Sequence, residues 1–180
     1  MNSYAVFLRG INIGGVTIKM ADLRKALSEG PFSKVKTLLA SGNVVLASEL
    51  DSQAVKAAVE AKLRESFGYD AWVVVLEAER VAELVEACPF PADDKSTHSY
   101  VTLASDAAML DELSKAAEGM DGVRLLRLGS EAIAWLAPAG GTLESPFSKL
   151  SSKPRYKSTT TTRNLRTLIK VRDAAAVLQK

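Results

Sequence analysis

"VKTLLASGNVVLAS", residues 35–48, looks like two short strands joined by a tight turn. Gly42-Asn43 is expected to supply the positive φ angles that such a turn requires. A second stretch, "VRLLRLGSEAIAWLA" at residues 123–137, matches the first in length, turn position and strand pattern, and it turns at Gly129-Ser130. A strand and a helix precede each hairpin. In the first case these are "YAVFLRG" and a helix from Met20, in the second "SYVTLAS" and a helix faced by Met109, Leu113, Ala116 and Met120. The matched hairpins predict a structural duplication.

Working outward, Met20, Leu23, Ala26 and Leu27 have helical spacing, and Gly30-Pro31 stops that helix. Asp51 is the expected N-cap of a longer helix whose face is Val55, Val59, Leu63 and Phe67, with Gly68 as its stop. "AWVVVLE" reads as a fourth strand, which completes βαββαβ, the ferredoxin-like pattern with helices on one face of a sheet. A short helix around Val81, Leu84, Val85 and Cys88 follows and ends at Pro89-Phe90-Pro91. The expected fold is therefore α+β: two ferredoxin-like, βαββαβ-type subdomains packed together, with a C-terminal basic helix. The expected boundaries are residues 1–76 for the first subdomain and 77–98 for a connecting helix and Pro-rich turn. Residues 99–180 then form the second subdomain with its basic C-terminal segment.

Composition excludes several classes. Hydrophobic residues make up 47% of the 180 and charged residues 24%, as in a globular protein with a core. No apolar run reaches the roughly 18 residues that span a bilayer, and the N-terminus lacks the pattern of a signal peptide. One cysteine, Cys88, cannot form an internal disulfide, and one histidine, His98, cannot anchor a Cys/His metal site. Asp93-Asp94 lack further ligands nearby, so no metal and no cofactor are expected. The expectation is a cytoplasmic protein with no membrane segment. Its charge is unevenly spread: residues 145–172 hold eight of the 23 basic residues and none of the 21 acidic ones. Such segregation points either to an anionic partner or to acidic neighbours that neutralise it within the fold.

Five motifs occur in order: "FLRGINIGG", "KMADLR", "SGNVV", "CPFP" and "TTRNLRT". In order and spacing they resemble a bacterial family known as domain of unknown function 1697, over nearly the whole chain. The resemblance implies two similar α+β subdomains and no known activity. Two positions depart from the family pattern: Cys88 stands where Asn is usual, and Leu165 where Trp is usual.

"RGINIGGVTIKM" leaves a strand and enters a helix, as phosphate-cradling loops do. Gly10 and Gly15 have P-loop spacing, but Val16 and Thr17 stand where Lys and Ser/Thr must follow, so a Walker-type NTPase is excluded. Asn12 occupies the second glycine position of the dinucleotide fingerprint, which excludes that too. Two readings stand: a tight connection in which Asn12 bonds its own loop, or a ligand-facing loop using Arg9, Asn12 and Lys19. "TTTTRNLRTLIKVR" reads as a helix capped by Thr161 or Thr162, with Leu165, Leu168 and Ile169 inward and Arg163, Arg166 and Lys170 on one outer face. "FSKLSSKPRYKS", broken by Pro154, reads as a long polar loop where the family pattern leads one to expect a helix. An RNA-recognition module is disfavoured, because Trp72, Tyr100 and Trp135 are scattered and "NVVLAS" has no aromatic residue. The candidate ligand-binding residues are Arg9, Gly10, Asn12, Gly14, Gly15, Lys19, Ser41, Asn43, Lys149, Thr162, Arg163, Asn164 and Arg166. The expected partner is a phosphate-bearing ligand (a nucleotide, a phosphorylated metabolite or a nucleic-acid backbone) held between the Gly-rich first loop and the basic C-terminal segment. The alternatives are a cofactor-independent enzyme using general acid/base chemistry, and a protein-interaction module with an acidic partner.

Overall fold

The computed structural model describes residues 1–180 except Ile13, Gly14, Gly15, Tyr69, Lys180 and the side chain of Lys157. The first part of the chain runs β1 (Asn2–Leu8), α1 (Met20–Ser28), β2 (Ser33–Leu38), β3 (Asn43–Ser48), α2 (Ser52–Phe67), β4 (Val73–Glu77) and α3 (Ala78–Ala87). The second part runs β5 (Thr97–Ala104), α4 (Ala107–Ala117), β6 (Leu125–Arg127), β7 (Ala132–Pro138), α5 (Pro146–Ser151), α6 (Pro154–Lys157), β8 (Thr160–Asn164) and α7 (Leu165–Leu178). Two antiparallel sheets result, in the orders β2-β3-β1-β4 and β6-β7-β5-β8. Corresponding strands hold corresponding places, so the fold is a duplicated ferredoxin-like α+β arrangement with a C-terminal helix. The residues group into two units, Met1–Ala82 with Ile169–Lys180, and Glu83–Leu168. Among the described residues no helix is long and apolar enough to cross a membrane.

In the first unit, strand alternation puts Tyr4, Val6 and Leu8 on the face that meets Leu23 and Leu27 of α1 and Val55, Val59 and Leu63 of α2. Burying each such aliphatic side chain stabilises the fold by about 1.5–3 kcal/mol. Asp51 accepts the Ala54 N–H at 2.8 Å and so caps α2, and Gly68 ends that helix at φ 65. The β2–β3 turn differs from the expected Gly42-Asn43 step. Its positive φ angles fall on Leu39 (57) and Gly42 (79), while Asn43 is already the buried first residue of β3. Close packing fixes the glycine, since a Cβ on Gly42 would lie 2.5 Å from Ile11 Cδ1 and 2.9 Å from Leu8 Cβ.

In the second unit Trp135 stacks on Tyr100, with ring centroids 4.8 Å apart, and packs against Phe147 at 5.1 Å. Its indole N–H donates to Thr102 Oγ1 at 3.0 Å. The inward stripe of α4 is Leu110, Leu113 and Ala117, whereas Ala116 is exposed and Met109 is only half-buried. Asp106 caps this helix by accepting the Ala108 and Met109 N–H groups.

Two sequence expectations fail here. "FSKLSSKPRYKS" is not a loop: Pro146 and Pro154 each occupy a first helical turn, where a missing N–H costs nothing, and they open α5 and α6. "TTTTRN" does not begin a helix either. The β-branched threonines form β8, which pairs with β5 so that Thr162 lies opposite Thr102 and Arg163 opposite Val101. The helix starts only at Leu165, where Asn164 Oδ1 accepts the Arg166 N–H at 2.9 Å.

Candidate functional site at the loop end of the first sheet

One end of the first sheet gathers the end of β1, the β2–β3 turn and the start of β4, through the pairs Phe7↔Asn43 and Leu8↔Val73. Beyond them the Leu8 N–H donates to Gly42 O at 2.8 Å and the Arg9 N–H to Trp72 O at 3.1 Å. Residues 9–19 then lead to α1. Ile11 and Ile18 anchor this loop in the core. Asn12, at φ 56, donates through Nδ2 to Ala40 O (2.7 Å) and Ile18 O (3.2 Å), and its Oδ1 accepts the Ile18 N–H (3.0 Å). Its amide donors are therefore occupied in tying the loop to itself and to the turn. Asn43 Nδ2 is similarly occupied with Leu38 O and Ser41 Oγ, each at 3.0 Å, beneath the exposed Ser41.

The groups that face outward are different ones. Lys19 is exposed at the N-cap of α1, where no side chain caps the helix. Gly10 is exposed at φ 70. Arg9 is half-buried, and burial alone pulls its guanidinium below the usual arginine value, with no carboxylate acting against it. Among the described residues nothing pairs with that guanidinium. Gly14 and Gly15 lie outside the described residues. Two exposed apolar side chains that are not among the candidate ligand-binding residues stand at this end, Trp72 and Leu39. Leu39 holds φ 57, a left-handed conformation that costs a non-glycine residue about 1–2 kcal/mol. The signals for both were present: Trp72 immediately precedes an apolar strand, and a bulky Leu sits in a turn.

The second unit repeats the frame with a different filling. Ala104 N–H donates to Glu131 O at 2.8 Å and Ser105 N–H to Thr159 O at 2.9 Å, matching the two bonds that close the first sheet. Only Ser105 and Asp106 connect this strand to α4, and the Asp106 carboxylate fills the helix N-terminus.

The basic C-terminal stretch is largely compensated within the fold. Lys149 pairs with Glu144 at 2.9 Å, Arg155 with Glu112, and Arg172 with Asp173 at 2.9 Å. Arg166 Nε donates to Ala92 O at 3.1 Å and lies 3.5 Å from Asp93. Arg163 is buried on β8 and donates to Thr161 Oγ1 (2.6 Å) and Thr162 O (3.0 Å). The Thr162 hydroxyl bonds Thr102 at 2.8 Å. Basic and polar side chains of the kind that bind anions, Lys149, Arg163 and Asn43 among them, thus occur in both units, but their polar atoms are engaged. Of the two family departures, Leu165 is buried, and Cys88 is half-buried with its thiol pushed up by burial.

The chain belongs to the family described as protein of unknown function (DUF1697), whose model matches residues 1–131. It is similar to the solved structure of the conserved bacterial protein SP0830 from Streptococcus pneumoniae, with a TM-score of 0.79 at 20% identity, covering 97% of this chain and 98% of that one. At that identity the likeness is one of fold alone. An unknown protein from Galdieria sulphuraria aligns over 91% of this chain and 96% of its own at 11% identity, but its TM-score of 0.26 carries no argument. No curated protein matches the chain.

Proposed function

We propose that the loop end of the first sheet binds a phosphate-bearing ligand, with Arg9 as the principal anion contact; Lys19 and the uncapped N-terminus of α1 lie at the far end of the same loop. The observation that carries this reading is Arg9: a half-buried guanidinium with no counter-charge among the described residues. A partly desolvated cation gains most from an anion that offers bidentate acceptors, and phosphate does so. The duplicated frame supports it, because the matching position is Ser105 and the matching helix carries its own carboxylate, Asp106. A connection of this length is therefore not needed to close a sheet of this kind. Asn12, Ser41 and Asn43 act here by shaping the loop and turn.

Calorimetric titration with tripolyphosphate and with ATP, at low and high salt, tests the reading. Arg9→Gln is expected to weaken binding about tenfold or more, since a hydrogen bond to a charged group contributes about 1.5–3 kcal/mol. Lys149→Gln, which removes an already paired surface charge, is the control and should change little. Binding of neither compound to the wild type, or equal effects from the two variants, refutes the assignment.

A further inference from the structure

We infer that the ligand of this site is a nucleoside phosphate whose base stacks on Trp72; the inference rests on the phosphate reading just given and adds the second half of the ligand. Trp72 is the one exposed aromatic side chain among the described residues. The ladder places it directly opposite Arg9: Leu8 pairs with Val73, and the next step is the Arg9 N–H donating to Trp72 O at 3.1 Å. Leu8 and Val73 point into the core, so by strand alternation Arg9 and Trp72 share the other face. Directly opposite residues have Cβ atoms only about 4.5–5.5 Å apart. A guanidinium with no charged partner among the described residues and a partly exposed indole thus leave the main chain from directly opposite positions.

Each group alone has an ordinary explanation; together they match one chemistry. A nucleoside phosphate carries a flat π-system and a phosphate separated by a single ribose. Indole stacks on any base, and a guanidinium grips phosphate through paired donors. Leu39, exposed and held in the left-handed region, adds apolar surface at the same sheet end. A phosphorylated sugar without a base would leave Trp72 unused. The arrangement is not an RNA-recognition motif, since Trp72 lies at the entry to the edge strand β4 rather than on a central strand. A free nucleotide and a nucleotide within a single strand offer the same base and phosphate, so both sources must be tried.

The test is calorimetry on the full chain with AMP, ribose 5-phosphate, tripolyphosphate and an eight-nucleotide oligoadenylate. AMP is expected to bind about tenfold or more tightly than ribose 5-phosphate, which is the contribution of one stacked base. Trp72→Ala should abolish that preference, and Trp72→Tyr, which keeps an aromatic face, should retain most of it. An oligoadenylate that binds more tightly than AMP, with steep salt dependence, assigns the site to a strand; affinity no greater than AMP assigns it to the free nucleotide. Equal binding of AMP and ribose 5-phosphate, or a preference that survives Trp72→Ala, overturns the inference. If tripolyphosphate still binds through Arg9 in that case, the phosphate reading stands without the base. If no phosphate compound binds, both fall.

Discussion

Replacing Asn12 by alanine tests how the loop of the first unit is held. The change removes three hydrogen bonds, to Ile18 O, Ala40 O and the Ile18 N–H, at 3.2, 2.7 and 3.0 Å. A typical bond contributes about 0.5–1.5 kcal/mol net, and the exposure of Asn12 lets water replace part of that loss. Alanine must also hold φ 56, which asparagine tolerates and alanine does so at a cost of about 1 kcal/mol. Together these give a loss of about 2–3 kcal/mol, or a melting temperature lower by about 4–12 °C for a chain of this size. Urea unfolding followed by far-UV circular dichroism measures it. Asn12→Gly loses the same bonds without the φ penalty, so it should be the more stable of the two variants by about 1 kcal/mol. An Asn12→Ala variant within about 0.5 kcal/mol of wild type would mean that the amide does not hold the loop, and the description of Asn12 as a shaping residue would fail.

Leu63, fully buried on the inner face of α2, should lose about 2–5 kcal/mol on truncation to alanine, measurable in the same urea assay; no loss would mean that this face is not core. Tyr156 is buried, and its phenol is pushed above the ordinary tyrosine value, first by burial and then by the neighbouring Glu112. A raised folded value means stability that is complete below about pH 10 and lost as pH rises through the folded value. Melts from pH 8 to 11 should therefore fall more steeply for wild type than for Tyr156→Phe, and parallel curves would refute the linkage.

The duplication was readable because hairpins carry local signals: Gly42 and Gly129 mark matching turns between apolar runs. Helix α2 was equally readable, since its cap, stripe and stop all lie within one segment. The fourth strand of the second sheet was not. Thr160–Asn164 runs straight into α7, with no glycine or proline between them, so helical periodicity from Leu165 onward was extended backward over threonines that belong to β8. The first repeat held the correction, because β4 likewise leads directly into α3. Proline misled in the other direction: Pro154 opens α6 rather than breaking a segment. At the site, Arg9 and Lys19 were visible from their loop, but the charge run at residues 145–172 was not interpretable alone. Glu144 and Asp173 flank the run, but its partners Glu112 and Asp93 come from elsewhere in the chain, and that pairing is a property of the folded state.

The two main-chain bonds that close each sheet end make loop length nearly independent of sheet integrity. Leu8 and Arg9 are pinned to Gly42 and Trp72 whatever lies beyond them, as Ala104 and Ser105 are pinned to Glu131 and Thr159. Expanding the connection from the two residues of the second repeat to the eleven of the first costs only about 1.5 kcal/mol in chain entropy, because closure scales with the logarithm of length. This junction is accordingly a natural graft point. A foreign peptide inserted between Asn12 and Ile18, with those residues and Ile11 kept, would inherit a prepaired anchor at its start and a helix at its exit.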